Sequence, residues 1–279
     1  MGKVIDFRVR PPFGTYQKFA DSITEDYVGA FGLEYANSLE SKRYDDFIAD
    51  LDAAGVVAAV VPGRHVASCD VDNQELFDLV ARDPGRFIAF PLIEPVAEDA
   101  ADQVERLIVN GPGAGATFEP GLPTATSQPY ALDDARVYPV FETLQSVGAP
   151  LLITLSSDML PVADPDVLRQ LDQAARDFPR LPIVVAHAAW GWVLPAIAIA
   201  YHRPNVYLAP DVCAALGWPG AAHYHEAART ILRDKIVFES SYPVSELRQM
   251  VEQVRGGWGL DEKTADKVLY ENAARILGL

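Results

Sequence analysis

Charged and polar side chains recur at the ends of short apolar runs, and their types fix the chemistry on offer. The first run, Val4-Ile5-Asp6-Phe7-Arg8-Val9-Arg10, carries charges at alternate positions, so Asp6, Arg8 and Arg10 point to one side of a strand. Charges within an apolar strand must be paired, because an isolated buried ion is costly. Glu119, Asp211 and Glu239 are the available partners. Guanidinium groups bind carboxylates through paired hydrogen bonds, which makes Arg8 and Arg10 candidate anion anchors. His187 and His65 are the run-end groups whose ordinary pKa lies near neutrality, and His187 is the candidate acid/base. A plainer reading of His187 is a structural hydrogen-bonder. Asp211 is suited to orient His187, or to act as the base if desolvation raises its pKa; Glu119 fits either role. Arg64, Trp190, Glu239, Ser241 and Tyr242 complete the candidate substrate-binding set.

These residues sit where strand-like runs give way to helical patterns. Val4–Arg10 precedes a helix at Tyr44–Ala54, Val56–Pro62 precedes Asn73–Arg82, Phe87–Leu92 precedes Ala97–Asn110, and Gly115–Glu119 precedes Asp134–Val147. Pro150–Leu155, Pro182–His187, Val206–Pro210 and Lys235–Glu239 precede Pro165–Asp177, Trp192–His202, Ala221–Leu232 and Ser245–Val254, with a last helix at Asp261–Leu277. The runs are nearly continuous in Val, Ile, Leu and Ala, as strands covered on both faces are. Eight β-then-α units predict a (β/α)8 TIM barrel, one domain over 1–279, with its active site at the C-terminal strand ends. A doubly wound open sheet would need a glycine-rich turn after the first strand, and Pro11-Pro12 stands there instead. Helix caps are expected at Asp133, Asp164 and Ser245. The insertion of about 11–43 holds Phe13, Tyr16, Phe19, Tyr27, Phe31 and Tyr35; it reads as a lid over the catalytic face, or as a subdomain that merely covers it.

With 23 Lys and Arg against 39 Asp and Glu, the net charge of the 279 residues is −16. That balance argues against nucleic acid or an anionic membrane surface as a partner. Cys69 and Cys213 form neither a disulfide framework nor a C-x-x-C motif, and read as reduced thiols. The start runs straight into a strand pattern, so no leader peptide and a cytoplasmic location are expected. The serines at 156, 157, 240 and 241 lack a G-x-S-x-G elbow, which argues against a nucleophilic triad.

The runs Val4–Arg10, Val185-Ala186-His187-Ala188-Ala189-Trp190 and Phe238-Glu239-Ser240-Ser241-Tyr242-Pro243, with the ending Asn272–Leu279, resemble the amidohydrolase superfamily in its amidohydrolase-related (family 2) branch. The resemblance spans the chain and implies hydrolysis or decarboxylation/lyase chemistry on a small carboxylate, lactone or amide. It also implies pairing into a homodimer. The family pattern at strand one is Asp-x-His-x-His; here Arg8 and Arg10 replace both imidazoles, Thr154 stands at a strand-five ligand position, and Ser241 replaces the strand-eight aspartate. Arginine has no free lone pair for a metal. The expectation is therefore a metal-independent enzyme without cofactor, in which two guanidinium groups supply positive charge and Glu239 holds one of them from below. An alternative keeps Zn2+ or Mn2+ in a relocated site of Glu119, His187 and Asp211. A third reading is a non-catalytic barrel used for binding or assembly.

Overall fold

Apolar runs bounded by turns become parallel strands, and the amphipathic segments between them become the helices that cover the outside. The computed structural model describes residues 2–23, 36–66, 69–122, 129–157 and 164–279. The strands are β1 (Val4–Asp6), β2 (Val56–Pro62), β3 (Phe87–Phe90), β4 (Ala116–Phe118), β5 (Leu151–Thr154), β6 (Ile183–Ala186) and β7 (Val206–Ala209). β1, β2 and β3 pair in parallel, with Ile5 opposite Ala58 and Val60 opposite Ile88. β4 to β7 form a second parallel set, with Thr117 opposite Leu152, Ile153 opposite Val185 and Val185 opposite Leu208. A bridge from Leu92 to Thr117 joins the two sets, and another runs from Leu208 to Ile236. The Phe7 amide donates to the Phe238 carbonyl at 2.9 Å and the Arg10 amide to the Tyr242 carbonyl at 3.0 Å. These contacts bring the strands round into the expected barrel.

The eighth run is held by bridges instead of a regular ladder. The Phe238 amide bonds the Val268 carbonyl of the C-terminal helical segment at 2.9 Å, so it is not offered to a neighbouring strand. One apolar cluster takes Ile5, Phe7, Ala58, Val60, Phe90, Leu152, Val184, Ala209 and Val237 together with Ala273, Ala274 and Ile276. Residues from so many strands can meet only inside the barrel, and the C-terminal helix Asn272–Leu277 packs against them. A larger cluster joins the outer strand faces to the helices; within it Phe47 of the helix Tyr44–Ala53 stacks on Phe87 at 5.6 Å.

Capping side chains mark only some helix starts. The cap expected at Asp133 does not form, and the helix there begins at Tyr138 after Val137. Asp164 accepts from the Asp166 amide at 2.9 Å, where the helix Asp166–Asp177 begins after Pro165. Asp72 accepts from the Gln74 amide and Asp261 from the Thr264 amide. Ser245 does not cap its helix: the helix Leu247–Glu252 is capped by Glu246, which accepts from the Arg248 and Gln249 amides, while Ser245 is buried just before it. The described part of the insertion contains a turn at Gly14–Tyr16 and helices at Gln17–Ile23 and Asn37–Ser41. Tyr27, Phe31 and Tyr35 lie outside the described residues. Among the described residues, no helix is long and apolar enough to cross a membrane.

Candidate active site

Arg8 is the hub of a buried polar network at the C-terminal strand ends. It follows β1 and is 2% exposed. Its Nη1 lies 2.7 Å from His187 Nε2, donates to Glu239 Oε1 at 3.2 Å, and approaches Ser241 Oγ at 3.4 Å; Nη2 donates to Thr154 Oγ1 at 3.2 Å. A guanidinium can only donate, so His187 Nε2 is the acceptor and its proton sits on Nδ1. Nδ1 accordingly donates to Asp211 Oδ2 at 2.6 Å. The Ser241 hydroxyl also donates to Asp211 Oδ2, at 2.5 Å. Ser241 thus bonds the carboxylate and not the imidazole, which is not the order of a serine nucleophile and its base.

The backbone aims the imidazole. His187, Ala188 and Ala189, directly after β6, all have positive φ (59°, 51° and 57°). Left-handed non-glycine residues are costly and persist only where their surroundings hold them. Here Tyr224 Oη donates to the Ala188 carbonyl at 2.8 Å, and the Ala189 amide donates to the Leu155 carbonyl at 3.1 Å. Ser241 is a further left-handed residue, at φ 55°.

A second ion pair lies beside the first. Arg64, after β2, pairs with Glu119, after β4, at 3.0 Å, and Thr154 Oγ1 donates to Glu119 Oε1 at 3.4 Å. Arg10 has no carboxylate partner among the described residues. It is 3% exposed, its Nε lacks a hydrogen-bond partner, and Nη2 donates only to the Ser241 carbonyl at 3.5 Å. The Phe19 ring lies 4.3 Å from the Arg10 guanidinium carbon and 5.5 Å from that of Arg64. Phe19 is a site residue that the strand-end reading passes over, because it comes from the insertion helix; the aromatic content of the insertion was the available signal.

The other candidates fall elsewhere. Tyr242 turns away: its hydroxyl donates to Asp50 Oδ2 at 2.8 Å and bonds Ser38, and its ring packs on Phe47. It is therefore not a pocket residue. Trp190 is partly buried, with its ring against Trp218 and its Nε1 donating to the Pro219 carbonyl at 3.1 Å. His65 bonds Asp70 across a short hairpin and has no part in the buried network.

Burial would raise the Asp211 carboxyl, but the adjacent His187 imidazole with its Nδ1 hydrogen bond, the Ser241 hydrogen bond and the Arg8 charge outweigh it and hold it well below the usual carboxylate range. The condition for Asp211 to act as a base, a raised pKa, is therefore not met; its Oδ2 accepts from His187 Nδ1. Burial lowers Arg10, and the nearby Arg8 and Arg64 charges lower it further. Asp6 lies deeper, accepting from the Arg8 and Ser240 amides at 3.0 and 3.1 Å, with Oδ2 unpartnered. Burial pushes its carboxyl from 3.8 up to about 7. The folded chain therefore keeps a proton on Asp6 between these values that the unfolded chain releases. Its contribution to stability is full below pH 3.8 and lost as pH rises through 7. The stability difference between wild type and Asp6→Asn should shift against wild type from pH 5 to pH 7, at up to ~1.4 kcal/mol per pH unit. Urea unfolding of both proteins at the two pH values measures it; a difference that stays constant would show that Asp6 is ionised throughout.

The amidohydrolase family model matches residues 25–279, which hold every strand of the barrel after β1. The chain belongs to the amidohydrolase family. Among solved structures, this family member is similar to an uncharacterised TIM-barrel protein of Bordetella bronchiseptica, with 29% identity, TM-score 0.89 and 99% of each chain covered. A 2,6-dihydroxybenzoate decarboxylase in complex with 2,6-dihydroxybenzoate shares the fold at 14% identity and TM-score 0.66, over 100% of both chains. So does a dihydroxybenzoic acid decarboxylase of Polaromonas with bound manganese and the inhibitor 2-nitroresorcinol, at 16% identity and TM-score 0.69, over 100% of this chain and 98% of that one. No curated protein matches the sequence. Family membership supports the reading as an enzyme, of hydrolase or carbon–carbon lyase type, over that of a non-catalytic barrel.

The expectation of no cofactor is overturned. His187, Asp211 and Glu239 each offer a ligand atom, and these atoms lie within 4.8 Å of one another. The Polaromonas relative, for its part, carries manganese. The donor types fit Mn2+ or Zn2+, and Glu239 Oε2 is a buried oxygen without a hydrogen-bond partner. The relocated set of Glu119, His187 and Asp211 is corrected as well: Glu119 is tied to Arg64 and Thr154, and Glu239 takes its place in the cluster.

Proposed function

We propose that this amidohydrolase acts on a small carboxylic acid, by decarboxylation or hydrolysis, with Arg10 binding the carboxylate and the His187–Asp211 pair moving the proton. The observation that carries the reading is Arg10: a buried guanidinium with an unpartnered Nε, no carboxylate partner among the described residues, and an aromatic ring over it. A buried cation without a counter-ion is costly unless an anion arrives to meet it. Arg64 adds positive charge beside it and is itself neutralised by Glu119. Arg8 is already committed to four neighbours, so it shapes the site and does not hold substrate. On this reading Arg8 and Arg10 stand where relatives carry the two imidazoles of Asp-x-His-x-His.

His187 is neutral at Nε2 and takes a proton there from water or from a substrate hydroxyl. Arg8 gives up that hydrogen bond and keeps its bonds to Glu239 and Thr154. Asp211 stabilises the resulting imidazolium through Nδ1–H, and His187 returns the proton to the carbon or heteroatom left by bond cleavage. A divalent ion held by His187, Asp211 and Glu239 would supply a Lewis acid for a substrate oxygen; Nε2 would then be its ligand, so the proton transfers at Nε2 belong to the metal-free state. The insertion acts as a lid, with Phe19 closing over the anion. The relatives' dihydroxybenzoates suggest a hydroxylated aromatic acid. One domain, a cytoplasmic location and a homodimer complete the reading.

Calorimetric titration with hydroxylated benzoates and their uncharged phenols tests it. Wild type should bind the acids, and Arg10→Met, still folded, should bind them about 100-fold more weakly, as loss of a charge-assisted bidentate contact implies. The phenols should be indifferent to the change. Unaltered affinity of the acids for a folded Arg10→Met protein would refute the anchor.

A further inference from the structure

Arg8 and the candidate metal cluster use the same lone pairs. Nη1 sits 2.7 Å from His187 Nε2 and 3.2 Å from Glu239 Oε1, and Ser241 Oγ, which bonds Asp211, is 3.4 Å away. Those are the atoms a cation would draw on, since His187, Asp211 and Glu239 converge within 4.8 Å. A guanidinium nitrogen therefore already engages two of the three side chains of the cluster. We infer that Arg8 is a tethered cation that competes with a divalent ion for this cage, so that the two are alternative occupants and Arg8 sets the affinity for metal.

Three observations carry the inference. His187 Nε2 has one lone pair, and it cannot accept from Arg8 and ligate an ion together. Arg8 is buried with its charge fixed near the carboxylates, so an ion placed there faces like-charge repulsion in a poorly screened setting. Arg8 also keeps an anchor outside the cage, because Nη2 donates to Thr154 Oγ1, which is not one of the three cluster residues. The inference concerns occupancy of the cage by cation and is independent of which acid is the substrate.

The test is Mn2+ binding by equilibrium dialysis with metal analysis, on wild type, Arg8→Met and the double variant Arg8→Met/His187→Ala. Arg8→Met should bind Mn2+ on the order of 100-fold more tightly than wild type, once the competing charge is gone. The double variant should lose that gain. A folded Arg8→Met protein with wild-type or weaker Mn2+ affinity would overturn the competition. Arg8→Met breaks a buried ion pair and can fail to fold, so a second measurement uses wild type alone: crystals soaked in Mn2+ and read by anomalous scattering. An ion at the cluster with Arg8 displaced from His187 supports the inference. An ion there with Arg8 Nη1 still on His187 Nε2 overturns it.

Discussion

His187→Ala is expected to lower kcat by about a thousandfold on the best acid of the benzoate panel, within the ~100- to 10,000-fold that a positioned acid or base contributes. Among the described strand-end groups the imidazole is the one placed to cycle a proton: its Nδ1 is anchored on Asp211 and its side chain is 17% exposed. Affinity for the acid should change little, because Arg10 and Phe19 are untouched. Steady-state kinetics beside calorimetric binding separates the two effects. A folded His187→Ala protein with wild-type kcat would remove His187 from the chemistry and leave it the structural hydrogen-bonder that a lone histidine often is.

Asp211→Asn should cost a comparable factor, ~1,000- to 10,000-fold in kcat. Asp211 is buried at 2% exposure and accepts from both His187 Nδ1 and Ser241 Oγ through Oδ2. An amide there cannot stabilise an imidazolium. It also permits the tautomer with its proton on Nε2, which would set an N–H against the N–H of Arg8. Ser241→Ala removes one hydrogen bond to the same carboxylate but leaves its charge, and should cost far less. Equal losses for the two variants would mean that Asp211 acts through packing and not through its charge.

Much of the frame was legible in the residues themselves. The limits of β2 and of the helix Asn73–Arg82 coincide with the apolar run and the helical pattern that follows it, because both signals are local. What was not legible depends on pairing across the barrel. Sequence offers Glu119, Asp211 and Glu239 to the arginines without saying which goes where, and the fold gives Glu239 to Arg8, Glu119 to Arg64, and none of the three to Arg10. Tyr242 escaped for a different reason. The alternation that puts Glu239 and Ser241 on Arg8 sends the next residue to the opposite side, where the tyrosine hydroxyl meets Asp50. The cofactor reading failed because the two arginines of strand one drew attention to the ligands they replace, while His187, Asp211 and Glu239 assemble a cluster from three other strand ends.

The central claim is that an anionic substrate is held at Arg10 beside the His187–Asp211 pair. A crystal structure of the wild-type protein with 2,6-dihydroxybenzoate tests it most directly. The account predicts the carboxylate in hydrogen-bond contact with the Arg10 guanidinium under the Phe19 ring, and a ring hydroxyl or ring carbon facing His187 Nε2. A ligand bound elsewhere, or one lying in the pocket with its carboxylate turned away from Arg10, would contradict it.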